Sequence, residues 1–180
     1  ARTCPGLLAR MTQQDAMLEF FSRPPSVGQV LSCLRKQLNW SHVLRLRREG
    51  GGVSPWLWIV SAGKPEAALA GFGFRALEGW PVGVYAMPEA LRAFLIVVAE
   101  LPGGRDTLML RLLGGGKVFE AAVKEAMELP PEAPEQEALT QIARLVAELR
   151  ERMKKEPLTQ EEEEFLARTE HPFDQLMRRM

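Results

Sequence analysis

Glycine-rich turns beside a lysine are the first places in this sequence where chemistry could occur. Three glycines at residues 114–116 precede Lys117, as in loops that bind phosphate. Such a loop needs a glycine five residues before the last one and a Ser or Thr after the lysine, because amides wrap the phosphates and the hydroxyl holds magnesium. Here Arg111 and Val118 occupy those positions. We therefore interpret the glycines as a connector between two helices.

Ser61, His42 and His171 are the side chains that hydrolysis or metal binding would require. Ser61 lies between an apolar segment and a predicted helix, but the first glycine of a nucleophile elbow is missing and Gly63 comes one residue too early. The two histidines are far apart, and neither has a cysteine or carboxylate at zinc-ligand spacing. The sequence thus predicts no catalytic residue, no metal and no cofactor.

A compact basic cluster, by contrast, predicts a binding surface. Its members are Arg45, Arg47 and Arg48. Because Trp56 and Trp58 follow closely, the cluster could contact nucleic acid through charge and base stacking. The alternative is an ordinary solvated strand face.

Lys64 is a second candidate for an anion contact. It stands in a turn before a helix that Pro65 opens, and a helix N-terminus favours negative charge. The alternative is a strand-to-helix turn that binds nothing.

These side chains must be positioned by an α/β fold. We predict a small mixed β-sheet flanked by helices, with an all-helical C-terminal region. Strands are predicted at residues 43–48, 55–60, 82–85 and 94–99. The last is a short, β-branched apolar run, typical of a strand buried on both faces, and Pro102 with Gly103 must end it. We therefore expect it in the middle of the sheet.

Helices are predicted before the sheet. Residues 17–21 fit a short amphipathic helix. Ser26 and Gln29 form a capping box that opens a second helix, residues 26–38, in which Cys33 is interpreted as a small core residue.

The C-terminal region is predicted to consist of helices throughout. The long helix at residues 134–156 carries an apolar seam that could pack against another copy or another protein, formed by Ile142, Leu145, Leu149 and Met153. Thr159 and Glu162 form a capping box for the last long helix, and Pro172 is expected to break it.

The chain is predicted to divide into N-terminal helices (1–40), an α/β core (41–116) and a helical C-terminal region (117–180), packed as one domain. Residues 1–116 contain 13 Lys and Arg against 8 Asp and Glu, a net charge of +5, whereas residues 117–180 have a net charge of −5. These opposite charges could attract each other within one chain or between two.

Composition excludes several classes of protein. With 46% hydrophobic and 26% charged residues among 180, the chain has the composition of an ordinary globular protein, and no apolar run approaches the roughly 20 residues that span a bilayer. The two cysteines lie near an N-terminus that lacks an export signal and a starting Met. A reducing compartment, the cytoplasm, is therefore expected, and a processed or truncated start is an open alternative.

One resemblance rests on a specific run of residues. Leu95 to Pro102 (LIVVAELP), Arg105 to Gly114 (RDTLMLRLLG), Lys117 and Leu129-Pro130 resemble a signature, ELPxxRxTLxLRLLG followed by a Leu-Pro pair, of uncharacterised bacterial proteins. That group is distantly related to transposase-associated PD-(D/E)XK nuclease-like proteins, and the resemblance covers about residues 53–170. It implies a small mixed sheet with flanking helices and magnesium-dependent cleavage of DNA.

The catalytic residues of that superfamily are not carried over by the resemblance. Its chemistry needs an Asp on one strand and Glu/Asp-x-Lys/Gln on the next, whereas Glu100 is followed by Leu101-Pro102 and Asp106 stands in a turn. The active half either lies upstream of Ala1 or is absent. We therefore predict an inactive nuclease-like domain that binds nucleic acid or a protein partner. The alternative is a helix-mediated assembly module.

Overall fold

The computed structural model describes residues 6–47 and 54–177, and for residues 170–177 the backbone alone. The chain forms two compact units. One spans Leu7–Pro102 and is called the sheet unit; the other begins at Gly103, includes Gly6 and is called the helical unit. No helix in the described ranges is long and apolar enough to cross a membrane.

The sheet unit is built on a five-stranded mixed sheet, which confirms the predicted α/β fold. The strands are β1 (Ala16–Phe21), β2 (Trp56–Ser61), β3 (Arg75–Ala76), β4 (Val84–Ala86) and β5 (Ala93–Val97), in the order β1-β2-β5-β4-β3. β1, β2 and β5 are parallel, and β4 runs antiparallel to both β5 and β3. β5 is the middle strand, as its apolar run predicts.

The core of the sheet unit explains why β2 and β5 are so apolar. Both strands are buried along nearly their whole length. On one face, Leu57 and Leu95 pack with Val30 and Cys33 from a long helix, α2 (Val27–Arg47). The remaining helices of this unit are α1 (Gly6–Met11), from its second residue onward, and α3 (Glu66–Gly71), with single 3-10 turns at Glu89–Leu91 and Val98–Glu100.

The helical unit contains α4 (Arg105–Arg111), α5 (Gly116–Met127), α6 (Pro134–Met153) and α7 (Gln160–Met177). Their apolar faces form a separate core that includes Leu108, Phe119, Leu139 and Leu149. Arg111, the charge that interrupts the apolar run of α4, is 3% exposed. Its guanidinium donates to Glu125 on α5 (Nη1 to Oε1, 2.9 Å), to the carbonyl of Gly104 (3.0 Å) and to the Thr107 hydroxyl (3.1 Å).

Both predicted capping boxes are present. The Ser26 amide donates to Gln29 Oε1 (2.8 Å) and the Gln29 amide to Ser26 Oγ (3.2 Å). The Thr159 amide donates to Glu162 Oε2 (2.8 Å) and the Glu162 amide to Thr159 Oγ1 (3.3 Å). Each box satisfies amides that a helix N-terminus would otherwise leave unpaired.

Three predicted elements are wrong. Residues 17–21 lie in β1 and not in a helix, because they pair in register with β2. Residues 43–47 are the end of α2 and not a strand, because no glycine or proline interrupts the helix after Leu38; residue 48 lies outside the described residues. α7 continues through Pro172 to Met177, since a proline removes one helical hydrogen bond without obliging the helix to end.

β1 forms one edge of the sheet. Within the described chain it has a neighbour on one side only, β2. Leu18 and Phe20 are 49% and 42% exposed there, and Glu19 is the one charged residue of the strand.

Gly83 lies where β4 approaches the end of β5. Its φ is +91°, and a Cβ added there would lie 2.9 Å from the Val97 carbonyl oxygen and 3.1 Å from Cβ of Glu100. The Val97 amide donates to the Gly83 carbonyl at 2.8 Å. This position therefore needs both the left-handed backbone and the missing side chain of glycine.

Candidate nucleic-acid interface

α2 is the element of the sheet unit in which charges of one sign, positive, predominate most. Its 21 residues include no Asp or Glu, and its basic residues are all exposed: Arg35, Lys36, Arg45 and Arg47. Cations in the last turn also complement the negative end of the helix dipole.

The inner face of α2 fixes the direction in which these cations point. Val30, Cys33 and Gln37 are at most 2% exposed. The Gln37 amide nitrogen donates to the carbonyls of Pro55 (2.9 Å), Leu91 (3.1 Å) and Arg92 (3.2 Å). The helix is thus anchored along one side, and its cations are distributed over the exposed remainder of its surface.

The four cations differ in how far they are already compensated. Lys36 Nζ lies 2.9 Å from Glu19 Oε1, and this hydrogen bond raises the pKa of Lys36. Arg45 donates from Nε to the Ser41 carbonyl at 3.4 Å, and a carbonyl carries no net charge to offset that of the guanidinium. Arg48, the third member of the predicted cluster, lies outside the described residues.

An aromatic side chain accompanies the cations, but it is not one of those predicted. Trp58 is fully buried and stacks on Phe94 with ring centroids 4.3 Å apart, so it cannot stack on a base. Trp40, in contrast, is 46% exposed. It lies one turn after Lys36 and two turns before Arg47, on the same side of the helix. The helical spacing of these three residues is the signal that could have identified it.

Lys64 does not present an open charge to an anion. Its Nζ lies 3.0 Å from Glu100 Oε1 and 3.6 Å from Glu66 Oε1, and the Tyr85 hydroxyl donates to Glu100 Oε2 at 2.5 Å. Burial alone would raise the pKa of Glu100, but the bonds from Tyr85 and Lys64 hold it below its ordinary value. The hydrogen bond to Glu100, in turn, raises the pKa of Lys64.

Two further reactive side chains, those of Ser61 and Cys33, are buried in the sheet unit. The Ser61 hydroxyl is fully buried and donates to the Gly63 carbonyl at 2.6 Å. Cys33 is 2% exposed, which confirms it as a core residue, and burial raises the pKa of its thiol. In the ranges that the structure describes, no three His, Cys, Asp or Glu side chains are grouped so that they could hold a metal ion.

The predicted partner face of α6 is divided between core and surface. Leu149 is 4% exposed and, with Ile142, packs into the core of the helical unit. Leu145 and Met153 are 43% and 56% exposed. These two residues are the part of the seam that a partner could reach.

Comparison with known proteins found no match, whether among protein-family models, curated proteins or solved structures.

Proposed function

We propose that this protein is a non-catalytic, nuclease-like domain that binds nucleic acid through the outward side of α2. The observation that carries the proposal is the set of four exposed cations on a helix without a single carboxylate. Phosphates of a nucleic-acid backbone are attracted to such a surface, and each contact releases condensed counterions.

The shape of the element supports a duplex as the ligand. The major groove of B-form DNA admits one α-helix, and α2 exposes cations near its middle, at Arg35 and Lys36, and in its last turn, at Arg45 and Arg47. Trp40 adds an exposed ring that can stack on an unpaired base. Because these contacts are made by charge and stacking, the binding is expected to depend little on base sequence.

Salt dependence gives the test of this proposal. Replacing Arg45 and Arg47 by glutamine is expected to weaken binding to a DNA duplex and to reduce the slope of log K against log salt by about 2. Fluorescence anisotropy of a labelled duplex, measured between about 50 and about 200 mM salt, provides the slope.

A matched variant distinguishes binding by the local surface of α2 from a general effect of the protein's net charge. Lys154→Gln with Lys155→Gln removes two positive charges just after the end of α6, and it is expected to leave DNA binding and the salt slope unchanged. Equal weakening in both variants, or a wild type that does not bind DNA at low salt, would contradict the proposal. The non-catalytic part would be contradicted by magnesium-dependent nicking of the same duplex that EDTA abolishes.

Assembly through α6 is the second candidate, favoured by the exposure of Leu145 and Met153. The opposite net charges of the two halves of the chain also suit contact between copies. If it is correct, replacing Leu145 and Met153 by aspartate should convert a dimer to a monomer in light scattering. Gln141→Asp with Ala147→Asp, at two exposed positions of the same helix, serves as the control. A wild type that is monomeric at high concentration would rule this candidate out.

A further inference from the structure

A cavity of about 510 Å³ opens in the sheet unit. It lies where β2 and β5 begin and where β4 ends, and its lining includes Trp56, Phe94, Met87, Leu77, Glu89 and Arg92. This volume is in the range of pockets that bind small molecules. The mixture of rings, aliphatic side chains and two opposite charges is also typical of such pockets.

Two aromatic rings form one wall. The centroids of Trp56 and Phe94 are 5.1 Å apart at an interplanar angle of 49°, and both rings are partly exposed. Behind them, Phe94 stacks on Trp58 and Trp58 contacts Trp80 (4.3 and 5.2 Å between centroids). A planar ligand ring placed in the cavity would extend this row of rings at offset-stacking distance.

Arg92 is held at the cavity by an unusual backbone. Its φ of +47° is the one positive φ among the described non-glycine residues, a conformation that is unfavourable for a residue with a Cβ. The surroundings fix it: the Arg92 amide donates to Glu89 (3.1 Å), and its carbonyl accepts from the amide of Leu57 (2.9 Å). Such strain is a reason to look for function at the residue that carries it.

The two charges of the cavity do not neutralise each other. The Arg92 guanidinium donates to the Ser54 carbonyl at 3.3 Å, and among the described residues no carboxylate lies within ion-pair distance of it. Glu89, three residues earlier, lines the same cavity. A ligand with a carboxylate near Arg92 and an ammonium near Glu89 would complement both charges at once.

We propose that this cavity binds a small aromatic compound that carries both a carboxylate and an ammonium group, as an aromatic amino acid does. The ring lies against Trp56 and Phe94, the carboxylate accepts hydrogen bonds from Arg92, and Glu89 attracts the ammonium group. This site is separate from the outward side of α2, so it does not depend on the proposed nucleic-acid binding.

The test uses three related probes on the whole protein. L-Tryptophan has the ring and both charges, indole-3-propionate lacks the ammonium group, and tryptamine lacks the carboxylate. Binding is followed by the shift of the Trp56 indole N–H in proton–nitrogen correlation spectra, and the peak is assigned with Trp56→Phe. We expect L-tryptophan to bind with a Kd of about 1 mM or below and each truncated probe to bind at least about tenfold more weakly.

Two variants assign the charges to their residues. Arg92→Asn is chosen because asparagine tolerates a left-handed backbone. It should weaken the binding of L-tryptophan at least about tenfold and leave the affinity for tryptamine unchanged. Glu89→Gln should weaken the binding of L-tryptophan and leave the affinity for indole-3-propionate unchanged. Arg75→Asn, an exposed cation on β3, should have no effect.

Several outcomes would overturn the proposal. They are the absence of any shift of the Trp56 signal with all three probes, equal affinity for L-tryptophan and tryptamine, and an Arg92→Asn variant that is folded by circular dichroism and binds as the wild type does.

Discussion

Replacing Gly83 by alanine is expected to destabilise the sheet unit by about 3 kcal/mol, which combines a left-handed backbone penalty with overpacking. The φ of +91° is unfavourable for any residue with a Cβ, and the new methyl group would meet the backbone oxygen of Val97 at 2.9 Å. That oxygen belongs to the central strand, so the collision cannot be relieved by a side-chain rotation. The chain must shift where β4 pairs with β5.

Tryptophan fluorescence measures this effect selectively, because all four tryptophans of the chain lie in the sheet unit. Urea unfolding should give the loss of free energy for Gly83→Ala. Gly79→Ala is the matched control: its φ is +74°, but a Cβ there has nothing within 4 Å. It should cost about 1 kcal/mol, the backbone penalty alone. Equal losses in both variants would show that the contact with Val97 is unimportant.

Replacing Glu125 by alanine is expected to destabilise the helical unit by about 3 kcal/mol, the lower end of the range for a broken buried pair. The Arg111 side chain is 4% exposed and that of Glu125 is 35% exposed, so the variant leaves a buried guanidinium without its anion. The unit contains no tryptophan, and circular dichroism at the helix band during urea unfolding is the appropriate measurement. Glu148→Ala, an exposed site on α6, should change stability little.

A double variant distinguishes charge burial from lost packing. Arg111→Met with Glu125→Met removes both charges and keeps apolar volume, a replacement that is often neutral for buried pairs. It should therefore be more stable than Glu125→Ala alone. If the double variant lost as much stability as the Arg111→Met and Glu125→Met single variants together, the unpaired guanidinium would not be the cause of the destabilisation.

The destabilisation caused by Glu125→Ala should depend on pH in a definite direction. The hydrogen bond from Arg111 lowers the pKa of Glu125 below its ordinary value of 4.5. A lowered pKa means that the carboxylate stabilises the folded unit above the ordinary value and loses this effect as the pH falls through the lowered one. The stability difference between the wild type and Glu125→Ala should thus be constant near neutral pH and should shrink in acid.

Local signals in the sequence were sufficient for much of the fold. The β-branched run of β5, the two capping boxes and the proline that opens α6 are all short-range patterns, and the structure contains each of them. Their physical causes act within one or two turns of chain.

The elements whose prediction was wrong are decided by contacts with residues that are distant in the sequence. Residues 17–21 have apolar side chains on both sides, so their pattern fits a helix or a strand, and pairing with Trp56–Ser61 decides between the two. Residues 43–47 alternate as a strand would, yet they continue α2. In both cases the tertiary context overrides an ambiguous local pattern.

The candidate sites were predictable to different degrees. Arg45 and Arg47 are recognisable as a cluster, although the element that presents them was not. The compensation of Lys64 by Glu100 could not be foreseen, because the two residues are far apart in sequence and meet through the packing of β2, β4 and β5. No local pattern indicates that Arg92 adopts a left-handed backbone.

The position of β1 at the edge of the sheet, as the described strands define it, has a consequence for handling the protein. An edge strand can serve as a template for another extended chain. Leu18 and Phe20 are exposed there, and the one charge of the strand, Glu19, is engaged by Lys36. The strand has no proline or lysine to discourage such an addition. Aggregation in concentrated solution is therefore expected to start at this segment.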